Sequence, residues 1–250
     1  MKPVKAKDLL EKDKNLKVVK LAAIPNPQQI VWYAGKQDYS EEAIYTKTPP
    51  EEKKAGKWIV DQLLANDRGH YGPLEHPGII MNVCGYPHDV MVQARTHRVG
   101  VSFDVQSQRY TGQRVLQVAE GELNTEDVFY VRPAGFYTNR KGKKYDWTEE
   151  DRQRKLGLAL AACKEYASDY EKGRCEEHIR HHLPQGIRQH YVFSGNLRSV
   201  LHFLDLRSKL DAQLEIQALC EQICPIVNEW APEVWDYYET KRLHRAKLSP

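Results

Sequence analysis

The segment from residue 93 to residue 110 concentrates side chains that can bind an anion. It contains three arginines, Arg95, Arg98 and Arg109, together with two serines and a histidine. Arginine presents a planar fork of N–H donors that matches a phosphate group, and serine hydroxyls can complete the shell of donors. Asp104 is the only carboxylate in the segment, so the arginines lack an obvious local partner. The segment therefore predicts an anion site, although its composition equally fits a helix end with solvated arginines.

A second group of polar side chains surrounds the start of another predicted helix. Asn196 is a suitable N-cap, and the free N–H groups of the first helical turn would favour an anion such as a pyrophosphate. Arg198 and His202 are four residues apart, so they share one face of that helix. Arg207 lies on an otherwise apolar helical stretch, where it either serves a ligand or forms an i,i+4 ion pair with Asp211. The sequence leaves both roles open.

Neither the histidines nor the cysteines form a metal motif. Four histidines lie between residues 178 and 190, but no cysteine or carboxylate completes a zinc spacing. We therefore expect hydrogen-bonded or surface histidines and no bound metal. The five cysteines are odd in number and show no paired spacing, which predicts reduced thiols in a cytoplasm.

The bulk composition bounds the class of protein. Hydrophobic residues make up 41% of the 250 residues and charged residues 28%, which is typical of a globular protein. The net charge of +3 is too small to indicate bulk binding of nucleic acid or membrane. The N-terminus lacks the apolar core of a signal peptide, and no apolar run approaches membrane-spanning length. We therefore expect one cytoplasmic domain over residues 1–250.

Hydrophobic periodicity and turn residues predict a mixed α/β chain of the α+β type. We expect a helix-rich fold around a central mixed or antiparallel sheet, with a loop-rich segment at residues 1–50 and turns over residues 112–150. Predicted strands lie at about Val18–Ala23, Gly78–Gly85 and Val99–Val105. Predicted helices begin after Pro50 and at Pro87, and two longer ones span Thr148–Lys172 and about Val200–Val227.

Three motifs, in the right order, resemble those of the flavin-dependent thymidylate synthases. The family signature has Arg-His-Arg, seven residues, and then Ser-x-Arg-Tyr. This chain has Thr96-His97-Arg98, eight residues, and then Ser107-Gln108-Arg109-Tyr110. The first arginine of the signature is thus a threonine here. The longer spacer leaves open which of Asp104, Val105 and Gln106 takes the family's acidic position.

The other two motifs flank this signature, one before it and the other, in two parts, after it. His70 to His76 (HYGPLEH) resembles the family's His-Gly-Thr-Pro-x-Glu-His element. Residues 180–184 (RHHLP) resemble its Arg-x-x-Leu-Pro element. Residues 196–216 then resemble its run of Asn-x-Arg, Leu-Arg and Ala-Gln-x-Glu-Ile. Together the motifs cover roughly residues 55–235.

The resemblance implies an enzyme that methylates dUMP to dTMP. Methylenetetrahydrofolate would supply the carbon, FAD would carry the hydride, and NADPH would reduce the FAD, in a homotetramer with shared active sites. The residues implied for dUMP are Gln93, Ala94, Arg95, Thr96, Ser107, Gln108, Arg109, Arg180 and Arg207. Those implied for FAD are Gly72, Thr96, His97, Arg98, Asn196, Leu197, Arg198 and His202, with His70 near the flavin and the folate. Arg207 is the implied catalytic residue, because a guanidinium against the uracil ring would stabilise the anion formed when N3 loses its proton.

Two other functions compete with this one. A nucleic-acid-binding module would use Arg95, Arg98, Arg109, Arg114 and residues 141–144 as a phosphate track. A different flavoenzyme acting on a nucleotide would share the anion site but not the reaction. Flavin colour in the purified protein separates the first rival from the flavoenzymes.

Overall fold

Helices make up most of the chain. The computed structural model describes residues 2–139 and 141–245. The helices are α1 (Ala6–Lys12), α2 (Pro27–Gln37), α3 (Glu52–Ile59), α4 (His88–Ala94), α5 (Gln113–Glu120), α6 (Thr125–Val128), α7 (Glu149–Glu171), α8 (Glu176–Ile179), α9 (Leu197–Arg207), α10 (Leu214–Trp230) and α11 (Pro232–Lys241). Short turns of 3₁₀ or π helix lie at Ile44–Thr46, Val60–Leu64, Ala65–Asp67, Gly72–Glu75 and Arg180–His182.

The strands form a four-stranded sheet and a separate hairpin. They are β1 (Lys17–Ala23), β2 (Gly78–Pro87), β3 (Val101–Val105), β4 (Gly135–Thr138), β5 (Lys144–Trp147) and β6 (Arg188–Asn196). The order in the larger sheet is β1-β2-β6-β3, and β4 pairs with β5 in antiparallel fashion. The helix-rich α+β prediction is confirmed, and of its two forms the antiparallel sheet is the one present.

The chain divides into two compact units. The first comprises residues 1–17, 83–96 and 104–191, and the second comprises residues 18–82, 97–103 and 192–250. Four of the five boundaries fall inside strands β1, β2, β3 and β6, and the fifth, between residues 96 and 97, lies between α4 and β3. The expectation of a single domain over the whole chain stays a prediction.

The first unit is built around a buried arginine and an apolar helical layer. Helices α5, α7 and α8 enclose Val115, Cys163 and Ile179, which are fully buried. Arg188, only 4% exposed, donates to the carbonyl of Gly85 at 2.9 Å and to Asp13 Oδ2 at 2.7 Å. Because an unpaired buried charge is costly, these acceptors allow a guanidinium to sit in the interior.

In the second unit one buried amide joins three helices. Gln28 at the start of α2 is fully buried, and its side chain donates to the carbonyl of Glu52 on α3 and to Glu233 on α11. Its own side-chain oxygen accepts from the backbone N–H of Val234. Gly56 is required at this contact, since a Cβ there would lie 2.6 Å from the Gln28 oxygen.

The N-terminal fifty residues are more ordered than predicted. The expected strand is confirmed as β1, but α1 and α2 replace much of the predicted loop. Pro27 is one of the prolines that suggested a loop, but it occupies the first turn of α2, where a missing N–H costs nothing. Helices α5 and α6 likewise lie within the region predicted to hold only turns. Of the basic run at 140–144, position 140 lies outside the described residues, and the remainder is exposed as expected.

The predicted helix from about Val200 to Val227 was wrong as a single element. It ends at Arg207 and a new helix begins at Leu214. The hydroxyl of Ser208 donates to the carbonyl of Leu204, and the N–H of Ala212 to the carbonyl of Lys209, so the chain turns instead of continuing. By contrast, the predicted helix at Thr148–Lys172 is confirmed as α7, with a capping box between Thr148 and Asp151.

The buried arginine of the first unit yields a stability prediction. Arg188→Met should lower the free energy of unfolding by about 3 kcal/mol, because Asp13 and a buried carbonyl lose a charged donor. Urea unfolding followed by circular dichroism measures the change. The matched control is Arg154→Met, which removes an arginine whose ion pair with Asp151 is exposed, and should leave the midpoint unchanged. Equal midpoints for the Arg188 variant and the parent would contradict this role.

Candidate active site

The residues predicted to bind ligands divide between the two units. The second unit contains His70, Gly72, His97, Arg98, Asn196, Leu197, Arg198, His202 and Arg207. The first unit contains Gln93, Ala94, Arg95, Thr96, Ser107, Gln108, Arg109 and Arg180.

The N-terminus of α9 is fixed by its cap and by a glycine that packs against it. Asn196 Oδ1 accepts from the N–H of Ser199 at 2.8 Å, which confirms the predicted N-cap. Gly100 has a φ of +65°, and a Cβ there would lie 2.2 Å from the Ser199 hydroxyl and 2.4 Å from the Asn196 amide. Only glycine therefore lets this loop lie against the helix start. The carbonyl of Gly100 also accepts from the N–H of Asn196 at 3.0 Å.

Arg198 and His202 project from the same face of α9, as their spacing predicts. Arg198 forms an ion pair with Glu75, from the HYGPLEH motif, and its side chain is 34% exposed. His202 Nδ1 is buried and has no hydrogen-bond partner among the described residues. Burial lowers the pKa of His202, so it is mainly neutral at neutral pH. A buried polar atom of this kind can be satisfied by a hydrogen bond to a ligand group.

Arg207 is hydrogen-bonded to a histidine of the signature. Its Nε donates to His97 Nε2 at 3.0 Å. His97 is 9% exposed and its ring packs on Phe203, with 4.9 Å between the ring centroids. Burial, the Arg207 charge and His202 together lower the pKa of His97 to about 4. His97 is therefore neutral at pH 7 and keeps the lone pair that accepts from the guanidinium.

The alternative partner of Arg207, Asp211, lies outside the helix. Because α9 ends at Arg207, Asp211 does not lie one helical turn further along the same face. Asp211 is exposed in the turn between α9 and α10. The helical spacing behind the expected ion pair is therefore not kept.

His70 is fixed by the C-terminal end of α2. Its Nε2 lies 3.4 Å from Asp38 Oδ2, and its Nδ1 lies 3.3 Å from the hydroxyl of Tyr39. Gly72 is exposed, with open space where a Cβ would be. Arg98 is exposed as well. Leu197 differs from the others because it is fully buried, and its backbone N–H donates to the carbonyl of Pro77 at 3.0 Å.

In the first unit the C-terminal end of α4 carries four of the predicted residues. Thr96 caps this end through a hydrogen bond from its hydroxyl to the carbonyl of Gln93 at 2.8 Å. Arg95 and Thr96 are exposed, and Gln93 is half-buried. Ala94 is fully buried and can offer only its backbone.

Arg109 forms an ion pair with a carboxylate that was not predicted from the sequence. Ser107 and Arg109 lie on a turn in which the N–H of Tyr110 donates to the carbonyl of Ser107. Arg109 Nε lies 2.7 Å from Glu177 Oε1. A backbone hydrogen bond, Arg109 and Arg180 all lower the pKa of Glu177. Glu177 thus interacts electrostatically with two arginines predicted to bind dUMP. In the sequence, only its position one turn before Arg180 pointed to this role.

The acidic position that the longer spacer left open is partly clarified. Gln106 is hydrogen-bonded to strand β6. Its N–H donates to the carbonyl of His190 at 3.0 Å, and its side chain accepts from the N–H of His190. Asp104 is exposed on β3. Of the three candidates, Asp104 alone is an exposed acid.

Histidines and cysteines show no sign of metal or nucleophilic chemistry. The described residues contain no cluster of three or more side chains able to hold a metal. His182 is hydrogen-bonded to Asp169 at 3.0 Å. All five cysteines are free thiols. Burial raises the pKa of Cys163 to about 12 and also raises that of Cys220, so neither thiol is activated.

Known proteins share both the sequence and the fold. A family model described as "Thymidylate synthase complementing protein" matches residues 19–233. The flavin-dependent thymidylate synthase of Halobacterium salinarum is 31% identical, over 94% of this chain and 100% of that protein. The Haloarcula marismortui enzyme of the same name is 29% identical, over 92% of this chain and 98% of that protein.

Two solved structures have the same fold. A UMP/dUMP methylase, PolB from Streptomyces cacaoi, bound with 5-Br dUMP, has a TM-score of 0.73 at 19% identity, covering 94% of this chain and 97% of that chain. Flavin-dependent thymidylate synthase ThyX from Helicobacter pylori, complexed with FAD and dUMP, has a TM-score of 0.67 at 18% identity, covering 88% of this chain and 98% of that chain. Fold and family match place this chain in one class of enzyme. It belongs to the flavin-dependent thymidylate synthase family.

The structure also bears on membrane insertion. Among the residues described, none of the helices combines the length and the apolar character needed to span a bilayer.

The depressed pKa of His97 yields a prediction about pH. The folded pKa of about 4 lies below the ordinary value of 6.5, so the unfolded chain takes up the proton first. This histidine's contribution to stability is complete above pH 6.5 and is lost as the pH falls towards 4. His97→Gln should keep a polar side chain but remove the titration. The melting-temperature difference between parent and variant should therefore narrow between pH 7 and pH 4.5, whereas a constant difference would refute the assignment.

Proposed function

We propose that this chain catalyses the reductive methylation of dUMP to dTMP. Methylenetetrahydrofolate provides the carbon, FAD carries the hydride when bound, and NADPH is the reductant. The observation that carries the proposal is the guanidinium of Arg207, oriented by a neutral, buried His97. Membership of the family and the paired arginine at Arg109 support it.

The second unit has the features that a diphosphate-containing flavin requires. Asn196 caps the start of α9 and Gly100 packs against it, next to Arg198 in the first helical turn. Arg98 and Arg198 supply positive charge, and the buried Nδ1 of His202 lacks a partner in the described chain. These residues therefore fit FAD, with Thr96, Leu197, Gly72 and His97 as the remaining proposed contacts.

The first unit has the features that a nucleotide monophosphate requires. Ser107 and Gln108 lie on a turn beside Arg109, and Arg180 interacts with the same carboxylate as Arg109. Two guanidiniums with a hydroxyl provide charge-assisted hydrogen bonds to a phosphate. We assign Gln93, Ala94, Arg95, Thr96, Ser107, Gln108, Arg109 and Arg180 to dUMP, with Arg207 at its base.

Arg207 would activate the nucleotide by stabilising charge. Loss of the N3 proton to solvent water places negative charge on the uracil ring, and a guanidinium against N3 and O2 stabilises that charge. The ring then becomes nucleophilic at C5 without a covalent bond to the enzyme. His97 contributes by holding Arg207 through Nε, so that the guanidinium is oriented before the nucleotide arrives.

The competing nucleic-acid function is not favoured. The net charge is only +3. Arg114 is half-buried rather than exposed on a basic surface. Colourless protein that binds DNA with a steep dependence on salt would support it instead.

Three further features of the proposal concern assembly and place. We propose a single functional domain over residues 1–250, a homotetramer with shared sites, and a cytoplasmic enzyme that binds dUMP, the folate and NADPH. Light scattering on the purified protein measures the number of subunits, and a monomeric active enzyme would contradict the homotetramer.

The catalytic role of Arg207 is tested by removing its guanidinium. Arg207→Ala should abolish dTMP formation from dUMP, methylenetetrahydrofolate, NADPH and FAD, while the purified protein retains its flavin. The control is Arg154→Ala, an exposed arginine of the first unit, which should leave turnover unchanged. Unchanged turnover in Arg207→Ala would exclude the role.

The pairing of Glu177 with Arg109 yields a second prediction. A carboxylate on Arg109 competes with an incoming phosphate for the same donors, so Glu177→Gln should bind dUMP more tightly, by about threefold. Isothermal titration with dUMP measures the change, with Glu150→Gln as the control at an exposed acid. Weaker binding in Glu177→Gln would instead mean that the carboxylate orients Arg109 for the phosphate.

A further inference from the structure

Helix α9 contains a buried acid that the proposed chemistry does not use. The side chain of Asp205 is fully buried, and its two oxygens have different partners. Oδ1 accepts from the hydroxyl of Tyr238 at 2.9 Å, and Oδ2 accepts from Arg242 Nη2 at 3.1 Å. Burial and the Asp205 charge raise the pKa of Tyr238, so its hydroxyl remains a donor. The end of α11 and the residue after it are thereby fixed to α9.

Arg242 extends this network to the HYGPLEH motif. Its Nη1 donates to the hydroxyl of Tyr71 at 3.1 Å, and its guanidinium lies 5.7 Å from the centre of the Tyr71 ring. The related motif of the family has glycine where this chain has Tyr71. Arg242 also lies beyond the span of the family match, which ends at residue 233. Neither side chain is therefore accounted for by the family resemblance.

The same tyrosine ring supports a residue proposed to bind FAD. The guanidinium of Arg198 lies 5.9 Å from the centre of the Tyr71 ring, and Arg198 is also paired with Glu75 from the same motif. Tyr71 thus contacts two guanidiniums, one anchored by the buried Asp205 and the other partly exposed at the start of α9. All of these residues belong to the second unit.

We propose that Tyr71 and Arg242 are positioning residues for Arg198, and that they hold its guanidinium ready for the anionic part of FAD. This inference rests on the proposed function. A free arginine side chain loses rotamer entropy when it binds a ligand, so holding it in place beforehand strengthens binding. The aromatic ring supplies a cation–π contact, and the buried Asp205–Arg242 pair fixes the ring.

The test measures FAD binding by apoprotein through quenching of flavin fluorescence. Tyr71→Leu removes the ring but leaves the Asp205–Arg242 pair intact, so it should fold and raise the dissociation constant for FAD about fivefold to tenfold. Tyr71→Phe restores the ring and should recover affinity to within about threefold of the parent. Arg242→Met should resemble Tyr71→Leu but also lower the melting temperature, because Asp205 loses its cation.

The control variant is Lys241→Met, which removes an adjacent exposed positive charge and should leave FAD binding unchanged. The affinity for dUMP should be the same in all four variants and the parent, whereas general unfolding would weaken both ligands. If the parent binds FAD and Tyr71→Leu binds it equally well, the positioning role is wrong. If the parent itself binds no FAD, the proposed function has failed instead.

Discussion

The hydrogen bond from Arg207 to His97 can form only while His97 is neutral, because the accepting ring nitrogen must keep its lone pair. The surroundings of His97 must meet this condition. Three influences satisfy it, because burial, the adjacent positive charge and His202 all lower the pKa of His97. Phe203 packs on the His97 ring, and Phe193 packs in turn on Phe203. These aromatic side chains exclude water, which keeps the histidine uncharged and the arginine in one orientation.

Helix α9 concentrates the second unit's functional groups along eleven residues. Its first turn carries Arg198, its middle carries His202, and its last residue is Arg207. Asp205, on the same helix, faces inward and binds the C-terminal segment through Arg242. One helix therefore sets the separation between the proposed flavin contacts and the proposed catalytic arginine. This explains why its N-cap, its packing against Gly100 and its termination at Ser208 all matter for the site.

Local signals in the sequence predicted much of this arrangement. Asn196 was recognisable as a cap, and the four-residue spacing of Arg198 and His202 correctly predicted a shared face. The break after Arg207 could not be predicted from hydrophobic spacing, because Leu206, Leu210 and Leu214 continue a helical period across it. Leu210 is in fact 88% exposed in the turn. The helical spacing of the leucines thus continues through a turn that is formed by the hydrogen bonds of Ser208 and Ala212.

Contacts between distant parts of the chain were not predictable. Arg207 and His97 are separated by 110 residues, and Arg242 and Tyr71 by 171. No local pattern indicates that either pair meets. The sequence offered Asp211, a neighbour in sequence, as one possible partner of Arg207, whereas the hydrogen bond to His97 joins residues that only the folded chain brings together. Glu177 is an intermediate case. Its position one turn before Arg180 is visible in the sequence, but its ion pair with Arg109 forms only in the folded chain.

The central claim is that Arg207 activates the nucleotide at C5, and the fate of the C5 hydrogen tests it directly. Methylation at C5 must release that hydrogen, so tritium at C5 of dUMP should appear in water as the reaction proceeds. With methylenetetrahydrofolate, NADPH and FAD present, the parent should release tritium in step with dTMP formation. Arg207→Met, shown to bind both FAD and dUMP, should release almost none. Release at the parent's rate from that variant would contradict the account.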